Sequence, residues 1–438
     1  MRKLLIAVVL LMSCCVAALD RQPNADYRAR RVALSQKTAG GVVLLFASTE
    51  EEGPNNIYGF KQDDGFFYLT GWTEPGAALL IAPEVKASDG NPARPYTEIF
   101  FLPPHNRTQE RWTGPKLGPE DATARQVTGF DRVESLDQMR EILVKVLPQP
   151  RATVFTDLGS SSSKAPFSWL RRTNAFATRL AMEDVKELLA SMRMVKDRGE
   201  MERIQHAVDA SVAAHLAAMK AMKPGMKEYE IGALIQYEFQ KRGCERPAYA
   251  PIVGSGFDGT VLHYSENSGA IQNGDDVVID AAGEYAGYAS DITRTLPANG
   301  KFTARQREIY DIVLGAQQAA AAAFVPGKST LFGPGSLTDV ARQYIDAHGK
   351  DLHGEPLGKY FIHGIGHHVG LNVHDADNRK PLDRGMVFTI EPGIYIPEEK
   401  IGVRIEDMYW VDENGKLVRL TAKLPQTAEE VERTMAAR

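Results

Sequence analysis

The sequence predicts two domains: a smaller α/β unit over residues 19–180, then a larger, pseudo-symmetric α+β domain over residues 184–438. Three observations carry this. At 438 residues the chain exceeds the size at which a single hydrophobic core stops growing. Its first half alternates short apolar runs with Gly and Pro breaks, and its second half passes twice through a cycle of helix, helix and strands. With 43% hydrophobic and 24% charged residues the composition is ordinary for a globular protein, which excludes wholesale disorder, a fibre or a multi-span membrane protein.

The first eighteen residues stand apart from both domains. Arg2 and Lys3 precede the apolar run Leu4 to Met12, and small residues follow as far as Ala18, which is the layout of a secretory signal. The run is too short and wrongly flanked for a stable transmembrane helix. Cleavage after Ala17 or Ala18 is the favoured reading; Leu11-Met12-Ser13-Cys14 is an imperfect lipobox that would instead leave a lipidated Cys14. The expectation is an exported protein, periplasmic or secreted, with no membrane span after processing. Of the three cysteines, Cys14 and Cys15 leave with the leader, so Cys244 has no partner for an intramolecular disulfide and reads as a quiet, buried thiol.

In the first domain Gly41–Phe46, Gly65–Leu69, Ala77–Ile81 and Glu98–Leu102 read as buried strands, with helices over Ala25–Lys37 and Leu136–Val146. Gly159 to Ser163 is polar and reads as a loop, and the join to the second half falls near Asn174 to Lys186. The second domain opens with Met201, Ile204, Val208, Val212, Leu216 and Met219 at helical spacing, stopped by Pro224-Gly225. A second helix covers Glu228–Lys241, and strands follow to Thr295. The cycle then restarts. Thr303 stands at capping-box distance from Gln306, that helix runs to Pro326-Gly327, another covers Leu337–Ala347, and strands end near Trp410.

Each cycle closes in an acidic hairpin. A turn centred between Tyr285 and Ala286 places Asp280 opposite Asp291, and one centred between Glu398 and Glu399 places Glu391 opposite Glu406. Opposed like charges destabilise a hairpin, so a cation must sit between them or one carboxyl must hold a proton. Four of the ten histidines, His363, His367, His368 and His374, lie within twelve residues in a glycine-spaced segment that can aim an imidazole at these carboxylates. Two Asp, two Glu and a His form a hard donor set suited to two divalent ions of the Mn, Co or Fe type. Such a pair lowers the pKa of a bound water. His206, His215 and His348, on helices, read as structural.

Other chemistries are set aside. Lys+Arg 51 against Asp+Glu 56 gives net charge −5 with no basic stripe, which argues against nucleic-acid binding. Gly254-Ser255-Gly256-Phe257-Asp258-Gly259 matches G-x-G-x-x-G in letters, but Thr260 to Tyr264 has no helical period, so no dinucleotide site is expected. The glycine-rich turn instead positions His263 near the metals.

His263-Tyr264, Val278 to Ala281, Gly287 to Thr295, His363 to Asp375, Glu391-Pro392-Gly393 and Arg404 to Asp407 together resemble the pita-bread metallopeptidases, specifically the Xaa-Pro aminopeptidase (aminopeptidase P) and prolidase branch. The likeness runs from about residue 184 to the C-terminus. Asp64 to Gly71 is more loosely similar to the N-terminal domain of that branch. The resemblance implies Asp280 as terminal ligand of one metal, Asp291 and Glu406 as bridging carboxylates, and His367 with Glu391 completing the second. Glu391 is also implied as proton shuttle, and His263 and His374 as histidines at the scissile bond. His363 is implied as a wall of the specificity pocket and Arg404 as an organiser of the site. Two departures stand out. His368 replaces a common Trp or Phe, and Asn372 a common Asp, which puts pocket shape and substrate length in question.

The expected activity is hydrolysis, by metal-bridging hydroxide, of the bond between an N-terminal residue and a following proline. The metals expected are two divalent ions, Mn2+ first, with Co2+, Fe2+ or Zn2+ as alternatives. A prolidase acting on dipeptides is the alternative, and a scaffold that has lost catalysis a further one. The resemblance also implies a homo-oligomer, dimer or tetramer, and Glu110 to Gly114 resembles a stretch that approaches a neighbour's active site through Trp112.

Overall fold

A computed structural model of the chain describes residues 20–49, 57–82, 97–147, 151–159 and 179–437. The leader with Cys14, the loop over residues 160–163 and the first part of the join, residues 174–178, fall outside these residues. Among the described residues no helix is long and apolar enough to cross a membrane.

The first half forms a six-stranded mixed sheet in the order Val133–Ser135, Thr97–Leu102, Ala78–Ala82, Val42–Phe46, Arg151–Thr156, Arg179–Asp184. Alternation along the strands feeds two cores. Val43, Leu45, Leu79, Ile81, Phe100 and Leu102 face one side, while Val42, Leu44, Leu80, Ile99 and Phe101 face the other. The first of these cores is continuous with that of the second domain, so the two halves share apolar packing.

One expected strand is a helix. Gly65–Leu69 lies within Asp64–Thr70, capped by Asp63, whose carboxylate accepts the Phe66 N–H at 2.8 Å, and ended by Gly71 at φ +60°. Gly65 to Thr70 are all buried. A short run apolar on every side carries no period to separate helix from strand. The flanking cap and the left-handed glycine carry that information. Gly71 also has to be glycine for space, since a Cβ there would lie 2.3 Å from the Tyr27 ring.

The second half follows the predicted cycle. Helix Arg198–Ala221 begins at an Asp197/Glu200 capping box and stops before Pro224, and Glu228–Lys241 pairs with it. Helix Ala304–Ala322 begins at the expected Thr303/Gln306 box but ends four residues short of Pro326, and Leu337–His348 follows. The proline cannot continue a helix, and the residue before it is already pushed out of helical backbone.

Strand Asp276–Asp280 lies between Ile252–Ser255 and Thr293–Pro297; Val387–Ile390 pairs with Asp407–Val411, and Gly393–Ile396 with Ile401–Arg404. The two halves are stitched at Thr293–Glu406 and through Thr295, whose hydroxyl accepts the Arg404 N–H at 3.0 Å.

The hairpin registers differ in outcome. In the second, Ile390–Asp407 and Gly393–Arg404 bracket Glu391 and Glu406 at the expected register. In the first, the turn is Ala286-Gly287, both at positive φ (+51° and +81°), with Tyr285 paired to Tyr288. Asp280 therefore pairs with Thr293 and not with Asp291. The slip is two residues, so Asp291 keeps its parity and its side chain still reaches the same face.

The three histidines on helices sit in structural settings. His215 is fully buried with Nε2 2.9 Å from the Ala281 carbonyl, and burial pushes it down to about 4, so it is neutral. His206 stacks on Tyr285 and His348 on Tyr344. Cys244 is buried and free, its thiol pushed up to about 12 by burial.

Candidate metal centre

The strand ends of both hairpins and the histidine loop open onto one cavity of about 510 Å³, lined by Asp280, Asp291, Glu391, Glu406, His367 and, around them, His263, His363, His374 and Arg404. Asp291, His367 and Glu406 bring ligand atoms within 4.8 Å of one another. His367 Nε2 stands 3.2 Å from Asp291 Oδ2 and 3.4 Å from Glu391 Oε1. Its Nδ1 faces the His368 carbonyl at 3.2 Å, so Nδ1–H donates there and Nε2 is the nitrogen turned towards the acids.

Asp280 is held differently. Arg404 donates to its Oδ2 at 2.6 Å, and Tyr249 donates towards its Oδ1 at 2.5 Å and towards Asp291 Oδ1 at 2.6 Å. Arg404 also donates to the Tyr395 hydroxyl at 2.8 Å and to Thr293 Oγ1 at 3.1 Å, and Thr293 in turn donates to Glu406 Oε2 at 2.8 Å. His363 Nε2 meets the same Tyr395 hydroxyl at 2.8 Å. Tyr249, Tyr395 and Thr293 are thus parts of the site that sequence reasoning does not single out. Thr293 falls in the Gly287 to Thr295 stretch that carries the resemblance but has no role implied there; Tyr395 lies on a strand buried at every position and Tyr249 in a loop, and neither has a local signal.

The histidine loop is pinned from below. Asp375 is buried between Arg193 and Lys196, with Lys196 Nζ at 3.1 Å, and Arg193 also reaches Asp64 of the first domain at 3.2 Å. The His374 N–H bonds the Asn372 side-chain carbonyl at 3.2 Å, and the His374 ring lies edge-on to His367 with centroids 4.2 Å apart. His368 points away from the cavity, buried edge-on against Phe388. Neither His368 nor Asn372 is part of the cavity wall, so the two departures act behind the pocket.

Crowded, buried acids dominate the electrostatics. Burial, with Asp291 and Glu391 close by, raises Glu406 well above the ordinary carboxylate range. Burial raises Asp280 despite Arg404, and pushes Glu391 up to about 7 despite His367. Burial opposes the charge on His367, yet its bond to Asp291 and the field of Glu391 hold it at about 9. Glu406 Oε1 is buried with no hydrogen-bond partner. An oxygen-rich set with one imidazole, an orphaned carboxylate oxygen and acids that cannot all ionise together fits divalent cations, which relieve each of these costs.

The sign of the pH dependence follows. Without cations the folded chain binds more protons at these carboxylates than the unfolded chain does. Their contribution to stability is therefore present at acidic pH and is lost as pH rises through the folded values, about 7 for Glu391. His367 acts in the same direction, losing its contribution as pH rises through about 9. Calorimetry at pH 5 and pH 8 should show the Tm increment given by Mn2+ widening at the higher pH by about 5 °C; an increment that shrinks with pH would contradict this reading.

Comparison with known proteins agrees with this geometry. The profile described as "Metallopeptidase family M24" matches residues 202–413, and that described as "Aminopeptidase P, N-terminal domain" matches residues 27–155. The Xaa-Pro aminopeptidase of Haemophilus influenzae is 34% identical, the alignment covering 96% of this chain and 99% of that one. That of Escherichia coli is also 34% identical, over 94% and 98%. The solved structure of proline aminopeptidase P II from Yersinia pestis superposes with a TM-score of 0.83 at 32% identity, over 95% of this chain and all of that one. Two acidic hairpins, a histidine loop between them and full-length likeness all lead to one assignment: the chain belongs to the aminopeptidase P branch of the pita-bread metallopeptidases, family M24, and is a metalloaminopeptidase.

Proposed function

We propose that this enzyme removes an N-terminal residue that precedes proline, using two divalent cations, Mn2+ first, held by Asp280, Asp291, His367, Glu391 and Glu406. The observation that carries this is the single cavity in which those five side chains meet His263, His363, His374 and Arg404. Near-full-length relatives named Xaa-Pro aminopeptidase support it. Cations bound there would lower the pKa of a shared water and polarise the scissile carbonyl.

The chain's own residues do the rest. Glu391, with Oε1 3.2 Å from the Thr389 hydroxyl and a pKa of about 7, is placed to take a proton and pass it to the departing proline nitrogen. That nitrogen belongs to a tertiary amide with no N–H, so a site that grips the free N-terminus loses no donor it needs. His374, beside His367, donates to the carbonyl oxygen, and His263, in the same cavity wall, orients the peptide. His363, anchored through Tyr395 to Arg404, forms a rigid wall for the proline ring.

The test is turnover of Ala-Pro-Ala against Ala-Pro by metal-loaded protein. Cleavage of the tripeptide is expected; exclusive action on the dipeptide would make the enzyme a prolidase.

Two further parts of the reading rest on sequence. Export through residues 1–18 predicts a mature N-terminus at Ala18 or Leu19, read by N-terminal sequencing of protein recovered outside the cytoplasm. Self-association into a dimer or tetramer is supported by Trp112, which is 87% exposed on helix Arg107–Thr113, a helix with no buried residue. Trp112→Ala should weaken the oligomer in analytical ultracentrifugation.

A further inference from the structure

We propose that Phe332 is a specificity-determining wall for the residue after proline, giving the enzyme a preference for peptides whose third side chain is apolar. The inference rests on the proline-directed reading above. Phe332 belongs to the connection between helices Ala304–Ala322 and Leu337–His348 and lines the same cavity as the metal ligands. It is a large apolar ring left 53% exposed.

The ring is seated against the histidine loop. A Cβ on Gly364 would lie 2.2 Å from Phe332 Cε1, so the bare Gly364 backbone leaves the space that the ring occupies. The loop is held from several sides. The Thr330 hydroxyl donates to the Phe332 carbonyl at 3.0 Å, the Ser336 N–H bonds the Gly333 carbonyl at 3.2 Å, and the Gly335 N–H bonds Asp339 Oδ2 at 2.8 Å. Gly333 and Gly335 take the left-handed conformations, φ +97° and +73°, that close the loop. A loop backbone held in this way loses little entropy when a ligand covers it.

Depth gives the direction. Glu406 at the floor is 2% exposed, the His363 side chain is 18% exposed, and Phe332, whose ring rests on the residue after His363, is 53% exposed. A peptide with its first residue over the carboxylates and its proline against His363 continues outward past Phe332. The charged lining residues are those of the metal centre and Arg404. Elsewhere the wall includes Ala250, Ile252, Leu262, Phe332 and Val373 beside the hydroxyls of Tyr249 and Ser265, so an apolar third side chain buries more surface there than a charged one.

The experiment compares Ala-Pro-Phe, Ala-Pro-Gly and Ala-Pro-Asp on the metal-loaded full chain and on Phe332→Ala and Phe332→Leu. The unmodified enzyme should show kcat/KM about tenfold higher for Ala-Pro-Phe than for Ala-Pro-Gly, carried mainly by KM, with Ala-Pro-Asp lowest. Phe332→Ala should bring the Phe/Gly ratio to within about twofold, and Phe332→Leu should retain part of it. Equal use of the three peptides by the unmodified enzyme, or a ratio untouched in Phe332→Ala, overturns the inference and leaves the proline-directed activity standing. Failure to cleave any of the three removes that activity, and this inference with it.

Discussion

Asp291→Ala is expected to abolish peptide hydrolysis, by at least about three orders of magnitude, and to lower the bound cation count together with it. Asp291 is where the site converges. Its Oδ2 stands 3.2 Å from His367, its Oδ1 accepts from Tyr249, which also contacts Asp280, and with Glu406 and His367 it forms a group whose donor atoms lie within 4.8 Å of one another. Losing this carboxylate removes a donor that no neighbour can replace, because Asp280 and Glu406 are held in place by Arg404 and Thr293 and cannot swing into the position it leaves. Stability should move little. In the cation-free protein the relief of crowding among the acids offsets the loss of the bond to His367, so the metal-stripped variant should unfold close to metal-stripped enzyme. This contrast separates a lost metal site from a misfolded protein. Metal analysis, kinetics on Ala-Pro-Ala and calorimetry on the same preparation decide it. Unchanged hydrolysis with unchanged cation stoichiometry would refute the metal centre.

What the sequence made legible follows from which signals are local. Capping residues mark helix starts within one turn, so Thr303/Gln306 located a helix and Glu228–Lys241 emerged with its ends in place. The second hairpin was placed because strand pairs on both sides of Glu391 and Glu406 share one centre between Glu398 and Glu399. The first register slipped because its turn uses Ala286 at φ +51°, a conformation that alanine's chemistry does not advertise. Asp64–Thr70 reads as a strand from its apolar run alone because the helix signals lie in Asp63 and Gly71, outside that run. Tyr249, and the tie from Asp64 through Arg193 to Asp375, were invisible for a different reason. They join residues far apart in the chain, and only the fold makes them neighbours.

Arg294 is the clearest such case and should give the largest stability effect. It is fully buried on strand Thr293–Pro297 of the first hairpin, yet most of its bonds reach the second half. Its guanidinium donates to Asp407 Oδ1 at 2.6 Å, to the Glu406 carbonyl at 2.7 Å and to the Pro425 carbonyl at 2.8 Å. Asp407 is itself fully buried and pairs with Ile390 directly behind the ligand carboxylates. Arg294→Met keeps the volume and deletes the charge, leaving Asp407 with the Thr421 hydroxyl on Oδ1, with Gln317 and Gln426 at 3.1 Å and with Arg419 at 3.7 Å. The expected cost is about 3 kcal/mol near neutral pH, read as a shift in urea midpoint, because an ionised carboxylate would remain buried without its main partner. Burial opposes ionisation of Asp407, but Arg294 holds it below the ordinary carboxylate range, so the pair stabilises the fold above the unfolded pKa and loses that contribution as pH falls. In the variant Asp407 titrates higher, and the deficit should therefore shrink in acid. Arg294→Met with Asp407→Leu should recover most of the loss, since removing both charges leaves nothing unpaired. It should not recover cation affinity in full, because the Glu406 backbone would still lack the donor that fixes it beside the metal centre. A deficit below about 1 kcal/mol in the single variant, or one that grows as pH falls, would contradict this account of how the two halves are joined.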